Sequence, residues 1–319
     1  MPSFFNASWA IIRGFRPINL LLLFCLHKIS QWPLILKAPG LLQDGAGQLK
    51  YAYTLNSLMW ASLLLAAGGY LINDYYDQKV DRINKPEKLS NILVNNPVAL
   101  WSVWVGLNLL AIILGFTIDQ RMEHTQYGFV FIAVCAVLWV YNLSPWSKLL
   151  LGPLVISGLI ALNLLMIQNL SIYLWAKCYN GVYSLETVYE LFATKTIWIW
   201  RIALLSFLTN FIRELIKDIE DINGDQNGGR RTLPITIGIA RTAQVSMVIG
   251  LILIVSIGSM VAIALNYSIL LSTQLTLALI LGIWITYKCH KIEIPSQAKS
   301  VSLWLKILLA IGLLSIFWL

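Results

Sequence analysis

Long apolar runs recur along the whole chain, and they constrain the fold more than any other feature. A helix needs about 20 apolar residues to cross the hydrocarbon core of a bilayer. Of the 319 residues, 58% are hydrophobic and only 12% are charged, about half the charged share of a soluble domain. A water-soluble fold cannot cover so much apolar surface, and a disordered chain needs low hydrophobicity. The sequence therefore predicts an all-α, polytopic membrane protein.

Nine of these runs are long enough to be membrane-spanning helices. They cover residues 17–39, 52–75, 97–118, 127–143, 149–169, 196–216, 240–265, 268–287 and 301–319. The first run is interrupted by His27, Lys28 and Gln31, and no small-residue cleavage site marks it as a signal peptide. Since no low-complexity or proline-rich linker interrupts the chain, we expect one bundle of nine transmembrane helices, a single domain over 1–319.

The positions of Lys and Arg predict the orientation of this bundle, because cytoplasmic loops carry an excess of both. With the N-terminus inside, most of the 23 Lys and Arg residues fall on the cytoplasmic side. We therefore expect an integral protein of the cell membrane with a cytoplasmic N-terminus. The net charge of +8 then reflects topology, and no nucleic acid partner is expected. Arg201 lies inside the sixth run, and this pattern does not explain it.

The acidic residues are concentrated at two helix ends. Nine of the 15 carboxylates lie at the ends of the second and the sixth apolar runs. They are Asp74, Asp77, Asp81 and Glu87 in the first stretch, and Glu214, Asp218, Glu220, Asp221 and Asp225 in the second. Like charges this close repel one another and are costly near a membrane unless a cation is bound. Both stretches are predicted to be cytoplasmic.

The spacing of these acids indicates two rows of metal ligands. Residues three, four, seven or eight positions apart share one helix face. The first acid row is Asn73, Asp77 and Asp81, and the second acid row is Glu214, Asp218, Asp221 and Asp225. Oxygen ligands of this kind are those that Mg²⁺ prefers, and it shares its coordination sphere with phosphates. Basic residues beside each row fit a diphosphate ligand, and the matching places of the rows hint at a duplication.

Two segments then resemble the motifs of a known family, the UbiA family of intramembrane prenyltransferases. The first runs from Asn73 to Pro86 and reads NDYYDQKVDRINKP; the second runs from Arg213 to Asp225 and reads RELIKDIEDINGD, with TLPI following at 232–235. The wording of the second is closest to the geranylgeranylglycerol-phosphate geranylgeranyltransferase branch. The resemblance implies nine helices with both motifs cytoplasmic. It also implies Mg²⁺-dependent transfer of an isoprenyl chain from a prenyl diphosphate to a lipophilic acceptor.

The resemblance and the spacing together select the site residues. We expect Asn73, Asp77 and Asp81 to hold one Mg²⁺, and Asp218, Asp221 and Asp225 to hold another. Asp77, Asp81, Asp221 and Asp225 would be catalytic through these ions. Candidates for binding the diphosphate oxygens are Arg82, Lys148, Lys217 and Arg230, although a membrane anchor explains Lys148 equally well.

Aromatic and polar residues near the same helix ends are candidates for the rest of the substrate. Trp60, Tyr70, Trp139 and Tyr141 could face an allylic cation, because aromatic faces attract cations; core packing or an interfacial belt is the alternative. Asn19 and Arg16, at the start of the first helix, could line the acceptor side. A topological anchor explains Arg16 as well.

Two other functions stay open at this point. One is a prenyltransferase of quinone or pigment biosynthesis with an aromatic acceptor. The other is an ion-coupled transporter, which would place ionisable residues near the bilayer midplane. The acids here cluster at helix ends instead, which favours the enzyme. The expected partners are a prenyl diphosphate, a lipophilic acceptor and membrane lipid.

Overall fold

The computed structural model describes residues 15–36, 45–84, 96–123, 126–143, 149–178 and 185–318. Within these ranges all regular structure is helical, which confirms the predicted all-α class. The helices are α1 (Pro17–Leu36), α2 (Gly45–Tyr76), α3 (Gln78–Asn84), α4 (Pro97–Met122), α5 (Tyr127–Leu143), α6 (Leu151–Cys178), α7 (Leu185–Glu220), α8 (Ile222–Asn227), α9 (Leu233–Ile237), α10 (Ile239–Ala264), α11 (Ile269–His290) and α12 (Pro295–Leu314). A 3₁₀ turn, Ser315–Trp318, follows α12.

Each of the nine predicted runs overlaps a helix of the described chain, but six helical segments there are long and apolar enough to cross a membrane. These are Tyr51–Tyr76, Pro97–Met122, Leu151–Leu174, Ile239–Ala264, Ile269–His290 and Pro295–Trp318. The other three runs overlap α1, α5 and α7. Helix α5 has only 17 residues, and α7 carries several charges, including Arg201, Arg213 and Glu214. The chain is a membrane protein, and the count of nine crossings stays a prediction.

The chain forms two compact units. The first comprises Met1–Pro145 and Tyr173–Val182, and the second comprises Trp146–Ile172 and Tyr183–Leu319. In the first unit α2 packs against α1, α4 and α5, and α4 packs against α5. In the second unit α10 packs against α11, and α7 packs against α10 and α12. Each acid row therefore belongs to its own unit.

A close helix contact and a buried carboxylate hold α4 and α5 together. The Asp119 carboxylate accepts hydrogen bonds from the backbone N–H groups of Gln126, Tyr127 and Gly128 at 3.0, 2.8 and 2.9 Å. These bonds satisfy N–H groups at the start of α5, which lack partners within the helix. Beyond this turn Gly115 lies so close to α5 that an added Cβ would stand 2.9 Å from the Gly128 Cα. The absence of a side chain at this position sets the separation of the two helices.

We expect Gly115→Ala to lower the melting temperature of the purified protein. The new methyl group would meet Phe131 Cδ2 at 2.6 Å, and overpacking of this kind costs about 1–3 kcal/mol. Gly106→Ala is the matched control, because it lies on the same helix and its Cβ would meet nothing within 4 Å. Thermal unfolding in detergent compares the two variants. Equal melting temperatures would contradict the close contact.

Arg201, unexplained by the sequence, lies beside an aromatic pair in the second unit. Its guanidinium carbon is 5.7 Å from the centre of the Trp198 ring, one helical turn earlier on α7. The Trp198 ring in turn makes an edge contact with Tyr267, at 6.4 Å between ring centres. An aromatic face attracts a cation, so the indole ring gives the Arg201 charge a partner within its own helix.

Candidate functional site

The first acid row lies where α2 ends and α3 begins. Asp77 is the single residue between the two helices, yet the backbone hydrogen bonding of the helix continues through it. The Asp77 N–H donates to the Asn73 carbonyl at 2.9 Å, and the Asp81 N–H donates to the Asp77 carbonyl at 2.8 Å. This is the α-helical pattern, so Asn73, Asp77 and Asp81 share one face. Both carboxylates are buried.

The second acid row has the same local construction at the end of α7. Asp221 stands alone between α7 and α8. Its N–H donates to the Lys217 carbonyl at 2.9 Å, and the Asp225 N–H donates to the Asp221 carbonyl at 3.0 Å. Asp225 is 2% exposed, whereas Asp218 and Asp221 are half-buried. The helical spacing assumed for this row is therefore present as well.

Aligning the two rows at their helix breaks identifies a residue that the sequence prediction omitted. Both stretches read D-x-x-D-x-x-x-D. The matched pairs are Asn73 with Lys217, Asp74 with Asp218, Asp77 with Asp221, and Asp81 with Asp225. Asp74 is thus the counterpart of Asp218, and it is buried like Asp77 and Asp81. Comparing the two spacings residue by residue would have found it from the sequence.

The amide of Asn73 is held in one orientation by its neighbours. Its Nδ2 donates to Asp77 Oδ2 at 2.9 Å and to Asn142 Oδ1 at 3.2 Å. Asn142 is a buried residue near the end of α5, and its own Nδ2 donates to the Leu138 carbonyl at 2.7 Å. The sequence prediction named its neighbour Tyr141 but not Asn142. A polar residue at the end of an apolar run was the available signal.

Arg16 supplies a positive charge to the first row. Its Nη2 donates to Asn73 Oδ1 at 2.8 Å and to Asp74 Oδ1 at 2.9 Å, and its guanidinium carbon lies 4.8 Å from the centre of the Tyr70 ring. Burial opposes the charged form, but the field and hydrogen bond of Asp74 outweigh it, so the pKa of Arg16 is raised. Arg16 and Tyr70 are thus brought together at the acid row. The Asn19 N–H donates to the Arg16 carbonyl at 2.9 Å.

Basic residues of the second unit also pair with acids of their own row. Glu214 accepts from Arg213 Nη1 at 3.0 Å and from Lys217 Nζ at 3.3 Å. Arg230 Nη1 donates to Asp225 Oδ1 at 3.1 Å, after a turn in which Gly229 has a φ of +73°. Burial lowers the pKa of Arg230 to about 10. Lys217 and Arg230, predicted to bind phosphate, therefore contact carboxylates in this structure.

The remaining predicted residues are less closely tied to the rows. Trp60 and Trp139 are exposed, which fits lipid-facing positions. Tyr141 is half-buried and Arg82 is exposed. Lys148 lies outside the described residues.

Each row offers carboxylate oxygens, and the first adds an amide oxygen, which are the donors that a hard divalent cation such as Mg²⁺ takes. Within the described residues, no group of three or more His, Cys, Asp or Glu side chains is arranged so that it could hold a metal ion. Arginine side chains instead contact Asp74, Asp225 and the Asn73 amide oxygen. The donor chemistry fits the ion, and arginine nitrogens are bonded to part of the donor set.

Comparison with known proteins adds an independent observation. The model of the UbiA prenyltransferase family matches residues 39–310. The digeranylgeranylglyceryl phosphate synthase of Thermococcus kodakarensis is 31% identical over 215 residues, which cover 66% of each chain. The enzyme of the same name from Sulfurisphaera tokodaii is 28% identical over 263 residues, 79% of this chain and 83% of the relative. This chain thus spans slightly less than two thirds of the first relative and most of the second.

Solved structures share the fold. A digeranylgeranylglyceryl phosphate synthase studied in membranes superposes with a TM-score of 0.58 at 19% identity, covering 98% of this chain and 97% of the other. A UbiA homologue from Archaeoglobus fulgidus, bound to GPP and Mg²⁺, gives 0.55 at 13% identity over 96% and 99% of the two chains. At these identities the likeness establishes the arrangement of helices alone.

Proposed function

Because this chain belongs to the UbiA prenyltransferase family, we propose that it transfers an isoprenyl chain from a prenyl diphosphate to a lipophilic acceptor within the membrane. One observation carries the proposal: two helix ends have the same D-x-x-D-x-x-x-D spacing and continuous helical hydrogen bonding. All three carboxylates of the first and Asp225 of the second are buried. Both helix ends lie inside the matched residues. Rows of this kind fit Mg²⁺ and, through it, a diphosphate.

We propose that the acceptor is a glycerol phosphate lipid of the geranylgeranylglycerol phosphate type. The support comes from the curated relatives, which are named digeranylgeranylglyceryl phosphate synthases. The motif Arg213–Asp225 in the second unit also resembles, in its sequence, the geranylgeranylglycerol-phosphate geranylgeranyltransferase branch.

The side chains of the rows would do the chemical work by binding and orienting. Asn73 Oδ1 and the carboxylates of Asp74, Asp77 and Asp81 are the first donor set. Asp218, Asp221 and Asp225 are the second, and we propose that each set binds Mg²⁺. Mg²⁺ bound there would supply positive charge that stabilises the departing diphosphate.

Apolar packing next to the first row would keep water away from the reacting carbon. Leu71, Ile72 and Leu100 are buried together there, with Tyr75 and Trp101 packed against them. An allylic cation is quenched by water, so a dry surrounding favours transfer to the acceptor. Arg82, exposed beside the row, and Lys148 remain our candidates for diphosphate oxygens.

The topology predicted from the charges belongs to the same proposal. We propose one domain of nine crossings with a cytoplasmic N-terminus and both rows on the cytoplasmic side. The excess of Lys and Arg in the corresponding loops supports this orientation.

A transfer assay with parallel acceptors tests the function. We expect the purified chain with Mg²⁺ and labelled prenyl diphosphates to form an ether-linked product with geranylgeranylglycerol phosphate. An aromatic acid is the parallel acceptor, and mass spectrometry identifies the product and the preferred chain length. EDTA should abolish the product and excess Mg²⁺ should restore it. Product from the aromatic acid alone would overturn the acceptor. Ion flux in proteoliposomes without diphosphate release would overturn the enzyme.

A further inference from the structure

The guanidinium of Arg16 occupies a position at the first row that a divalent cation would also take. We propose that Arg16 is a tethered counter-cation: it holds the oxygens of Asn73 and Asp74 while no metal is bound, and it leaves them when Mg²⁺ binds. The inference rests on the proposed function in one respect, that the first row binds Mg²⁺.

The contact geometry of Arg16 indicates that it competes with a divalent ion for the same two oxygens. A single nitrogen, Nη2, bonds to the oxygens of two adjacent side chains at 2.8 and 2.9 Å. Bridging two oxygens in this way is also what a coordinated cation does. A guanidinium and a divalent ion next to the same two oxygens would repel each other strongly, since both are positive and the surroundings are poor in water. Binding of one therefore opposes binding of the other.

The orientation of the Asn73 amide directs its oxygen toward Arg16. Its nitrogen is committed to Asp77 Oδ2 and Asn142 Oδ1, so its oxygen must point away from them, toward Arg16. An amide coordinates a metal through oxygen only. Arg16 thus donates a hydrogen bond to Oδ1, the one atom of Asn73 that could coordinate a metal. This contact keeps the amide in the orientation that coordination requires.

The backbone conformation of Arg16 indicates that its surroundings hold it next to the first row. Arg16 has a φ of +50° and directly precedes Pro17, although a residue before proline favours an extended conformation. Such a conformation persists only where the surroundings impose it. Phe15 packs against the cluster of Leu71, Ile72 and Leu100 and fixes the segment on one side. The side chain is 25% exposed, so it has a path to solvent when the metal replaces it.

The consequence is a site that stays assembled without metal. Buried carboxylates at a membrane interface repel one another and need a cation. Arg16 supplies that charge in advance and positions Asn73, at the expense of weaker metal binding. Arg16 is therefore a positioning residue whose removal should strengthen, not weaken, the binding of the ion.

Metal binding in the absence of any substrate tests this directly. We expect Arg16→Gln to bind Mn²⁺, measured by electron paramagnetic resonance in detergent, about 10-fold more tightly than the unmodified chain, a coupling of ordinary size for competing ligands. Arg121→Gln is the matched control, because it removes the same charge, and its contact is with Ser57 Oγ at 3.4 Å, remote from the row along α2. It should leave the affinity unchanged.

A second measurement needs no variant. We expect Mg²⁺ to increase the labelling of Arg16 by phenylglyoxal severalfold, because the released guanidinium reaches solvent. Unchanged or weaker Mn²⁺ binding by Arg16→Gln, or labelling that does not rise with Mg²⁺, would overturn the inference. So would an unmodified chain whose first row binds no Mn²⁺. Neither measurement uses a prenyl donor, so failure of the proposed transfer activity would be seen separately.

Discussion

Asp77→Ala and Asp221→Ala should each reduce Mg²⁺-dependent diphosphate release by about 1000-fold, the larger end of the effect of removing one stabilising group from a charged transition state. Each residue is the single position at which a long helix passes into a short one. Each also joins the residues four before and four after it through the backbone. The carboxylate is therefore central to its row, and alanine leaves no oxygen donor there.

The matched control is Glu220→Ala, in which the acid next to Asp221 is removed. Glu220 is the last residue of α7 and is not on the row, so its loss tests position against simple loss of negative charge. We expect near-normal release from this variant. All three proteins should show the same helix content and elute alike from size exclusion in detergent. Near-normal turnover in Asp77→Ala or Asp221→Ala would refute the proposal that both rows bind metal.

Apolar runs predicted the positions of the long helices, but not the residues at which the helices begin and end. α7 begins at Leu185, whereas the apolar run begins at 196, and α2 begins at Gly45 rather than 52. Hydropathy marks the part of a helix that suits lipid. The hydrogen bonds of the helix continue past that part regardless of side-chain polarity. The breaks at Asp77 and Asp221 leave the spacing unchanged, so spacing could not reveal them.

The site was predictable where it depends on local spacing and not where it depends on distant partners. The shared face of Asn73, Asp77 and Asp81 follows from positions four residues apart. The contacts of Asn73 with Arg16 and Asn142 join residues 57 and 69 positions apart, and no local pattern encodes them. The basic residues near the second row were predicted for phosphate from composition. Lys217 pairs with Glu214 three residues away on α7, whereas the pairing of Arg230 with Asp225 depends on how the turn at Gly229 returns Arg230 to the helix end.

The second large effect is expected for Arg230→Gln, which removes the guanidinium bonded to Asp225. That carboxylate is 2% exposed, and the arginine side chain is 17% exposed. Removing one partner of a buried ion pair costs about 3–5 kcal/mol, because the remaining charge stays in a medium of low dielectric. We therefore expect a melting temperature several degrees lower in metal-free detergent solution.

The double variant Asp225→Asn with Arg230→Gln separates this cause from a packing defect. If the uncompensated carboxylate is responsible, neutralising it should restore part of the lost stability, and the double variant should melt above Arg230→Gln. Arg231→Gln, at the exposed neighbouring position, should change the melting temperature little, since exposed ion pairs contribute little.

Adding Mg²⁺ to Arg230→Gln gives a second test, because the ion should raise the melting temperature that the substitution lowers. A ligand that binds only the folded state raises its stability, and a divalent ion at the second row would supply the charge that Arg230 no longer provides. The difference in melting temperature between Arg230→Gln and the unmodified chain should therefore narrow as Mg²⁺ is added. A difference that stays constant across the titration would mean that Asp225 serves the ion pair alone and would remove it from the proposed metal ligands.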